Sequence, residues 1–457
     1  MGGPPTAGRA VVVAAQRSAI HHSSFVIRTS SFALRLGGPA IRDPPSVQMR
    51  LTTCALATFG CVVFHVGMSK PAVLPLLAAT ALLLLPTTRG AVETAARSSL
   101  AFVGTYTGAK SQGIYAFRFD PATGDVVPLG LAAATENPTF LALHPNGRFL
   151  YAVNETGNFQ GKPAGSVTAL AIDRATGRLR QLNQASTLGG GPCHLIVDRA
   201  GKFVIVANYG GGSVAVLPIR ADGMVGTASA FVQHHGSSVN RQRQEAPHAH
   251  GATLSPDERF LFVPDLGLDQ LVTYRFNHAD GTLAPGDPPF TALKPGSGPR
   301  HLVFHPDGHH AYVISELVST VTEFTFDAAT GGLTEQAGSP LLPADFQGQS
   351  TAAELAVHPD GRFLYASNRG HDSLAVFAIA RSGALQLIER VPSGGRTPRH
   401  FALDPTGRWL WAASQDNSEI VVFRVDTNTG RLEPTGTKLA AGSPVCVCFL
   451  ELDAAGL

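Results

Sequence analysis

From residue 98 onward, apolar and polar positions alternate in short runs of roughly five to eight residues, the signature of half-buried β-strands. The runs come in a fixed order. An apolar run leads into a tight turn, usually Pro-(Asp/Asn)-Gly. A second and a third run follow, then a polar turn with Gly ahead of Leu. NPTFLALHPNGRFLYAVNE is followed by GSVTALAIDRATGRL, GPRHLVFHPDGHHAYVISE by STVTEFTFDAATGGL, and TPRHFALDPTGRWLWAASQ by SEIVVFRVDTNTGRL. Six such units are marked by Pro145, Arg199, Pro256, Pro306, Pro359 and Pro405. A module of about 50 residues with three clear strands and a weaker fourth has the size of a propeller blade.

The ends of this region complete the count. It opens with LAFVGTYTG and GIYAFRFDPATGDVVPL, the last three strands of a unit that lacks its first. It closes with SPVCVCFLEL, a first strand that lacks the other three. Joined, they predict a seventh blade and remove the free sheet edges a ring would otherwise expose. The expected fold is therefore all-β: one seven-bladed propeller over residues 98–457, closed by strands from both termini. Helical repeats are excluded, because Pro and Gly recur inside every unit.

This geometry predicts where polar residues meet. The position six before each turn residue opens the first strand, and the position ten after it ends the second. Both fall at one rim, because the two strands form an antiparallel hairpin. The opening positions hold Thr139, Cys193, His250, Arg300, Ala353, Arg399 and Val445, and the ending positions hold Glu155, Tyr209, Leu266, Glu316, Arg369, Gln415 and Tyr106. Packing positions would be apolar and alike from blade to blade. These are polar and differ, as a site built onto a symmetric scaffold should. Arg300 and Glu316 could equally form a cross-strand ion pair without further role. The later histidines His301, His305, His358 and His400 read as structural.

The long loop before the third blade, QHHGSSVNRQRQEAPHAHG, adds His234, His235, Arg243, Gln244, Glu245 and His248. Its spacing lacks a compact metal-ligand pattern, so no metal is expected. Cys193, Cys446 and Cys448 also have no zinc spacing and read as small buried residues.

Composition changes the picture in two places. Only 15% of residues are charged while Gly (49) and Pro (32) abound, which suits many turns and excludes a charged disordered chain. The net charge of +2 hides an asymmetry: residues 1–97 carry nine Lys/Arg against two acids, and the other 360 carry 26 basic residues against 31 acids. A mildly acidic body disfavours nucleic-acid binding through a general positive field.

Residues 1–97 read as a leader. MSKPAVLPLLAATALLLLPTTRGA, from Met68, has the charged, apolar and small-residue regions of a secretory signal over about 68–90. Residues 1–67 then read as sequence ahead of the true start, with an organellar transit peptide or an uncleaved anchor as alternatives. The expected location is periplasmic or secreted, the alternatives organellar or cytoplasmic. The propeller itself is expected to be a monomer with no membrane contact.

RQEAPHAHGATLSPDERFLFVPDLGLDQL, GPRHLVFHPDG, ELVSTVTEF, FLYASNRGHDSLAVF and TPRHFALDPTGRWL together resemble the seven-bladed propeller lactonases, the 6-phosphogluconolactonase type that includes the fungal carboxy-muconate lactonizing enzyme. The resemblance spans about residues 100–450. It implies a cofactor-free enzyme acting on a small lactone at the channel mouth. It also implies catalytic roles for His250, Arg300, Glu316 and Arg369, residues the rim argument reaches independently. Arg399 and Glu155 from the rim, and Arg243, Gln244 and His248 from the loop, are the expected substrate contacts. Lactone opening needs a base for water and donors for the oxyanion, and either His250 or Glu316 could serve as base. The same constellation suits a carboxy-muconate-type cycloisomerase, and a non-catalytic propeller that binds a ligand or partner is the third reading.

Overall fold

A computed structural model describes residues 98–452, and the expected leader lies outside the described residues. The chain folds into seven four-stranded antiparallel sheets. In the fourth blade the strands run Pro299–Phe304, His310–Ser315, Thr320–Asp327 and Gly332–Pro340, from the axis outward. Six blades follow one another in sequence. The seventh is composite: its inner strand, Pro444–Glu451, pairs with Ser99–Thr105 in register from Ser99↔Glu451 to Thr105↔Pro444. The two ends of the domain are thus stitched by a full strand pair, and the ring has no open edge.

Each blade is a sheet with two apolar faces, so it must be covered on both sides. The core accordingly forms wedges between neighbouring blades. In one, Leu100, Phe102 and Ile114 of the composite blade meet Leu150, Ala152 and Leu170 of the next. In another, Trp411 packs edge-on against Phe119 and Phe449 across the closing seam. Second strands such as Phe149–Asn154 and Phe260–Asp265 are buried throughout, whereas outer strands such as Gly332–Pro340 are mostly exposed.

Two polar ties repeat between blades and account for recurrent sequence letters. His144, His305 and His358 contact the turn carbonyls of Gly201, Gly361 and Gly407 in the following blade, at 3.0, 2.7 and 2.9 Å. Tyr151, Tyr312 and Tyr365 donate to the carbonyls of Gly223, Gly383 and Gly430. The His of HPNG and HPDG is therefore architectural, as expected for His305 and His358.

One irregularity shapes the axis. The inner strands shift register at their first residues, between Pro192/His194, Pro299/His301, Ala352/Leu355 and Pro398/His400. A bulge at that point aims two consecutive side chains toward the channel where alternation would send one away. The axis thus carries two stacked layers of polar side chains.

Candidate active site

The upper layer encloses a cavity of about 310 Å³ lined by Tyr106, Glu155, Cys193, Tyr209, Arg243, His250, Glu316, Thr351, Arg369 and Arg399. Seven of the nine residues expected at the site meet here: six in the lining, and Arg300 directly behind it against Glu316.

Glu316 is the hub. It directly follows the second strand of the fourth blade and is 3% exposed. Arg243 Nη2 lies 2.6 Å from Oε1, while Arg369 Nη2 lies 2.8 Å and Arg300 Nε 3.5 Å from Oε2. Burial alone would raise its pKa. The coulombic pull of Arg369 and Arg300 and the hydrogen bond from Arg243 outweigh that and bring it down to about 2. Glu316 is therefore a fixed carboxylate whose lone pairs are already engaged.

His250 opens the third blade. Its backbone N–H donates to Pro264, and its ring is held edge-on by Tyr209 and His301. Nε2 sits 3.9 Å from Glu316 Oε2, and Nδ1 lies 3.6 Å from the Cys193 thiol. Burial, then the charges of Arg300, His301 and Arg399, push its pKa well below the usual histidine range. The imidazole is neutral at neutral pH.

Arg300 and Arg369 are steered by backbone carbonyls of the fifth blade. Arg300 Nη1 donates to Ala353 and Arg369 Nη2 to Ala352. Burial lowers the Arg300 pKa to about 10, with Arg369 and Arg399 adding to the effect, so it remains a cation at neutral pH. Arg399 differs from the other three. Its guanidinium lies over the Tyr106 ring at 5.6 Å, and among the described residues it pairs with no carboxylate. Glu155, whose charge acts on Arg399, accepts the Tyr106 hydroxyl, at 2.9 and 3.0 Å.

Two expected contacts belong to the scaffold. Gln244 is fully buried and staples the loop, donating to the Leu266 carbonyl and accepting from the Asn240 N–H. His248 stacks on the outer side of Tyr209 and does not line the cavity. Asp265 fastens the same loop by accepting the His248 N–H at 2.7 Å and pairing with His234 at 2.6 Å. The loop histidines thus face different partners rather than one ion. The fastened loop delivers Arg243 to Glu316.

The cavity also uses Tyr106, Tyr209, Cys193 and Thr351. The first three are visible at the rim positions in the sequence; Thr351 is not. Below them lies the second layer, where Phe140, His194, His301 and His400 pack ring against ring. Glu354 ties it together, at 3.1 Å from His301, 3.5 Å from His400 and 4.0 Å from Arg300. Nothing in the sequence pattern marks Glu354 as axial. His301 and His400, expected to be structural, line the axis beneath the site.

Residues 100–449 match the model of the family described as "Lactonase, 7-bladed beta-propeller". The chain is 38% identical to the 6-phosphogluconolactonase of Bacillus subtilis over 353 residues, 77% of this chain and 98% of that protein. It is 35% identical to the 6-phosphogluconolactonase of Formosa agariphila, over 73% of this chain and 94% of that protein. The solved periplasmic gluconolactonase of Pseudomonas aeruginosa superposes with a TM-score of 0.73 at 39% identity, covering 77% of this chain and 99% of that one.

Proposed function

The chain belongs to the seven-bladed β-propeller lactonases, and on that footing we propose that it hydrolyses a sugar lactone, 6-phosphogluconolactone being the substrate that fits its charge best. The observation that carries the reading is a neutral His250 held 3.9 Å from a carboxylate that gathers three guanidiniums.

Water must lose a proton as it adds to the ester carbonyl. Glu316 is a poor base, because its conjugate acid forms only near pH 2 and its oxygens already accept from arginines. His250 is uncharged and has ring nitrogens free of strong partners, so it takes the proton. The imidazolium formed is stabilised by Glu316. Arg369 presents N–H groups to the oxyanion of the tetrahedral adduct, and Arg300, behind the cavity, adds positive charge through Glu316. Collapse of the adduct breaks the ring C–O bond, and His250 returns its proton to the leaving alkoxide. Arg399, which forms no ion pair among the described residues, receives the substrate's anionic group.

A leader ending near residues 90–97 and export of the propeller remain part of the proposal. An exported enzyme would meet plain lactones rather than phosphorylated ones, so both belong in the assay. The test is base uptake in a pH-stat by the purified propeller, with 6-phosphogluconolactone and glucono-lactone side by side. Turnover of at least one is expected, abolished by His250→Ala. No turnover of either, with binding retained, would favour the non-catalytic propeller.

A further inference from the structure

The rim opposite the cavity carries the tight turns, and there the junction between the second and third blades changes both partners of a repeated contact. At three junctions His144, His305 and His358 reach the turn glycine of the next blade; Ser255 and Asp404 replace the histidine at two others. Between the second and third blades, Asp198 takes the histidine position and Glu258 the glycine position. Glu258 keeps the left-handed backbone of the glycines it replaces: its φ is +57°, against +67° at Gly201 and +73° at Gly308. That conformation disfavours a side chain, so two carboxylates are brought together at a strained position.

Asp198 is fully buried. Its Oδ1 accepts the N–H groups of Lys202 and Phe203, but its buried Oδ2 has no partner. The equivalent Asp404 has no such gap, because Thr406 supplies its hydroxyl and N–H to Oδ2; Ala200 stands at that place beside Asp198. The Arg199 guanidinium donates to the Pro256 carbonyl, and its backbone N–H donates to Glu258 Oε1 at 2.8 Å, which leaves Glu258 Oε2 for an ion. A third group, His278, comes from the last turn of the third blade. The ligand atoms of Asp198, Glu258 and His278 all lie within 4.8 Å of one another.

We propose that Asp198, Glu258 and His278 bind a divalent transition-metal cation of the zinc class and so clamp the second and third blades. Two carboxylates supply the charge, the orphaned Asp198 oxygen gains a partner, and the imidazole selects zinc-like ions over magnesium. Glu258 and His278 are half-buried, which leaves the ion an entry path and room for water as a further ligand. Among the described residues the other such cluster, His305, Asp307 and His310, is occupied by its own bonds: His305 to Gly361 and His310 to Asp307. The three ligands are far apart in sequence, which is why no spacing motif announces them.

The test uses the full chain stripped with a chelator and titrated with zinc chloride, read by calorimetry and by thermal unfolding. One tight site and a rise in unfolding temperature are expected, with no response to magnesium. Glu258→Gly installs the residue the other turns use, so it should fold and, without metal, unfold no earlier than the parent. It should bind zinc at least tenfold more weakly and lose the thermal response, as should His278→Ala. Unchanged zinc affinity in both variants, loss of the site on His310→Ala alone, or no binding by the parent would overturn the proposal.

Discussion

Replacing Glu316 by Gln removes one negative charge and almost no volume, and the geometry sets the size of the effect. The carboxylate pKa falls from the ordinary 4.5 to about 2 on folding. A depressed carboxylate contributes stability that is present above its unfolded pKa and lost as pH falls through the folded one. The shift corresponds to about 3 kcal/mol at neutral pH, at 1.36 kcal/mol per unit. An independent route agrees: removing one partner of a buried ion pair typically costs about 3–5 kcal/mol, because the remaining charges stay buried unpaired. For a domain of roughly 350 residues, with an unfolding entropy of about 2.1 cal/mol/K per residue, this is a loss of about 4–7 °C in Tm. Thermal unfolding of parent and Glu316→Gln should therefore differ by that amount at pH 7. The gap should narrow steadily as pH falls from about 4.5 toward 2. Lactone turnover should fall at least a hundredfold at pH 7, since the guanidiniums lose the anion that positions them. Equal unfolding temperatures at pH 7, or a gap that does not depend on pH, would refute the reading of Glu316 as hub.

On a plain lactone, which has no phosphate to titrate, the acid limb of kcat/KM should lie well below pH 6.5, because burial and Arg300 hold His250 neutral; a midpoint at 6.5 or above would exclude His250 as base. Arg399→Gln should raise KM for 6-phosphogluconolactone about 10–100-fold, the worth of charge-assisted hydrogen bonds, and leave kcat within a few fold; an equal change for glucono-lactone would remove the anion-anchoring role. Glu354→Gln should lower kcat with little change in KM, since Glu354 touches Arg300 and His301 rather than the cavity; a KM effect alone would contradict this placement. Chelation should leave lactone turnover untouched, and inhibition reversed by added metal would move a metal into the mouth. Mass spectrometry of the protein from its native host should find an N-terminus near residues 90–97, and one beginning at residue 1 would reject the secretory leader.

The blade count, the closure and the upper layer were legible because strand alternation and turn chemistry are local. Once Pro306 fixes a turn, Arg300 and Glu316 follow by counting. The lower layer was not legible, because it depends on a bulge. Strict alternation places His301 and Glu354 away from the channel, and the register shifts at Pro299/His301 and Ala352/Leu355 turn them in. The loop before the third blade was half legible. Its charge showed that it carries chemistry, but a loop has no period from which to read direction. Arg243 reaches the cavity while Gln244, the next residue, staples the backbone. What separates them is the clamp by Asp265, a contact between segments that no local pattern encodes.

The charge balance of the mouth argues for the kind of substrate it holds. Arg243, Arg369 and Arg399 line the cavity with Glu155 and Glu316, and His250 adds no charge; Arg300, behind the lining, sits between Glu316 and Glu354. Three cations against two anions leave the cavity one positive charge in excess, in surroundings where buried unpaired charge is unfavourable. Arg243 and Arg369 are held by Glu316, and the excess is concentrated on Arg399. The anionic group of a phosphate monoester would offset that excess as the substrate binds, whereas a plain sugar lactone would leave it standing. The developing oxyanion can offset it only in the transition state. The electrostatics therefore favour a substrate whose anion enters with it and binds at Arg399, leaving Arg369 for the reacting carbonyl.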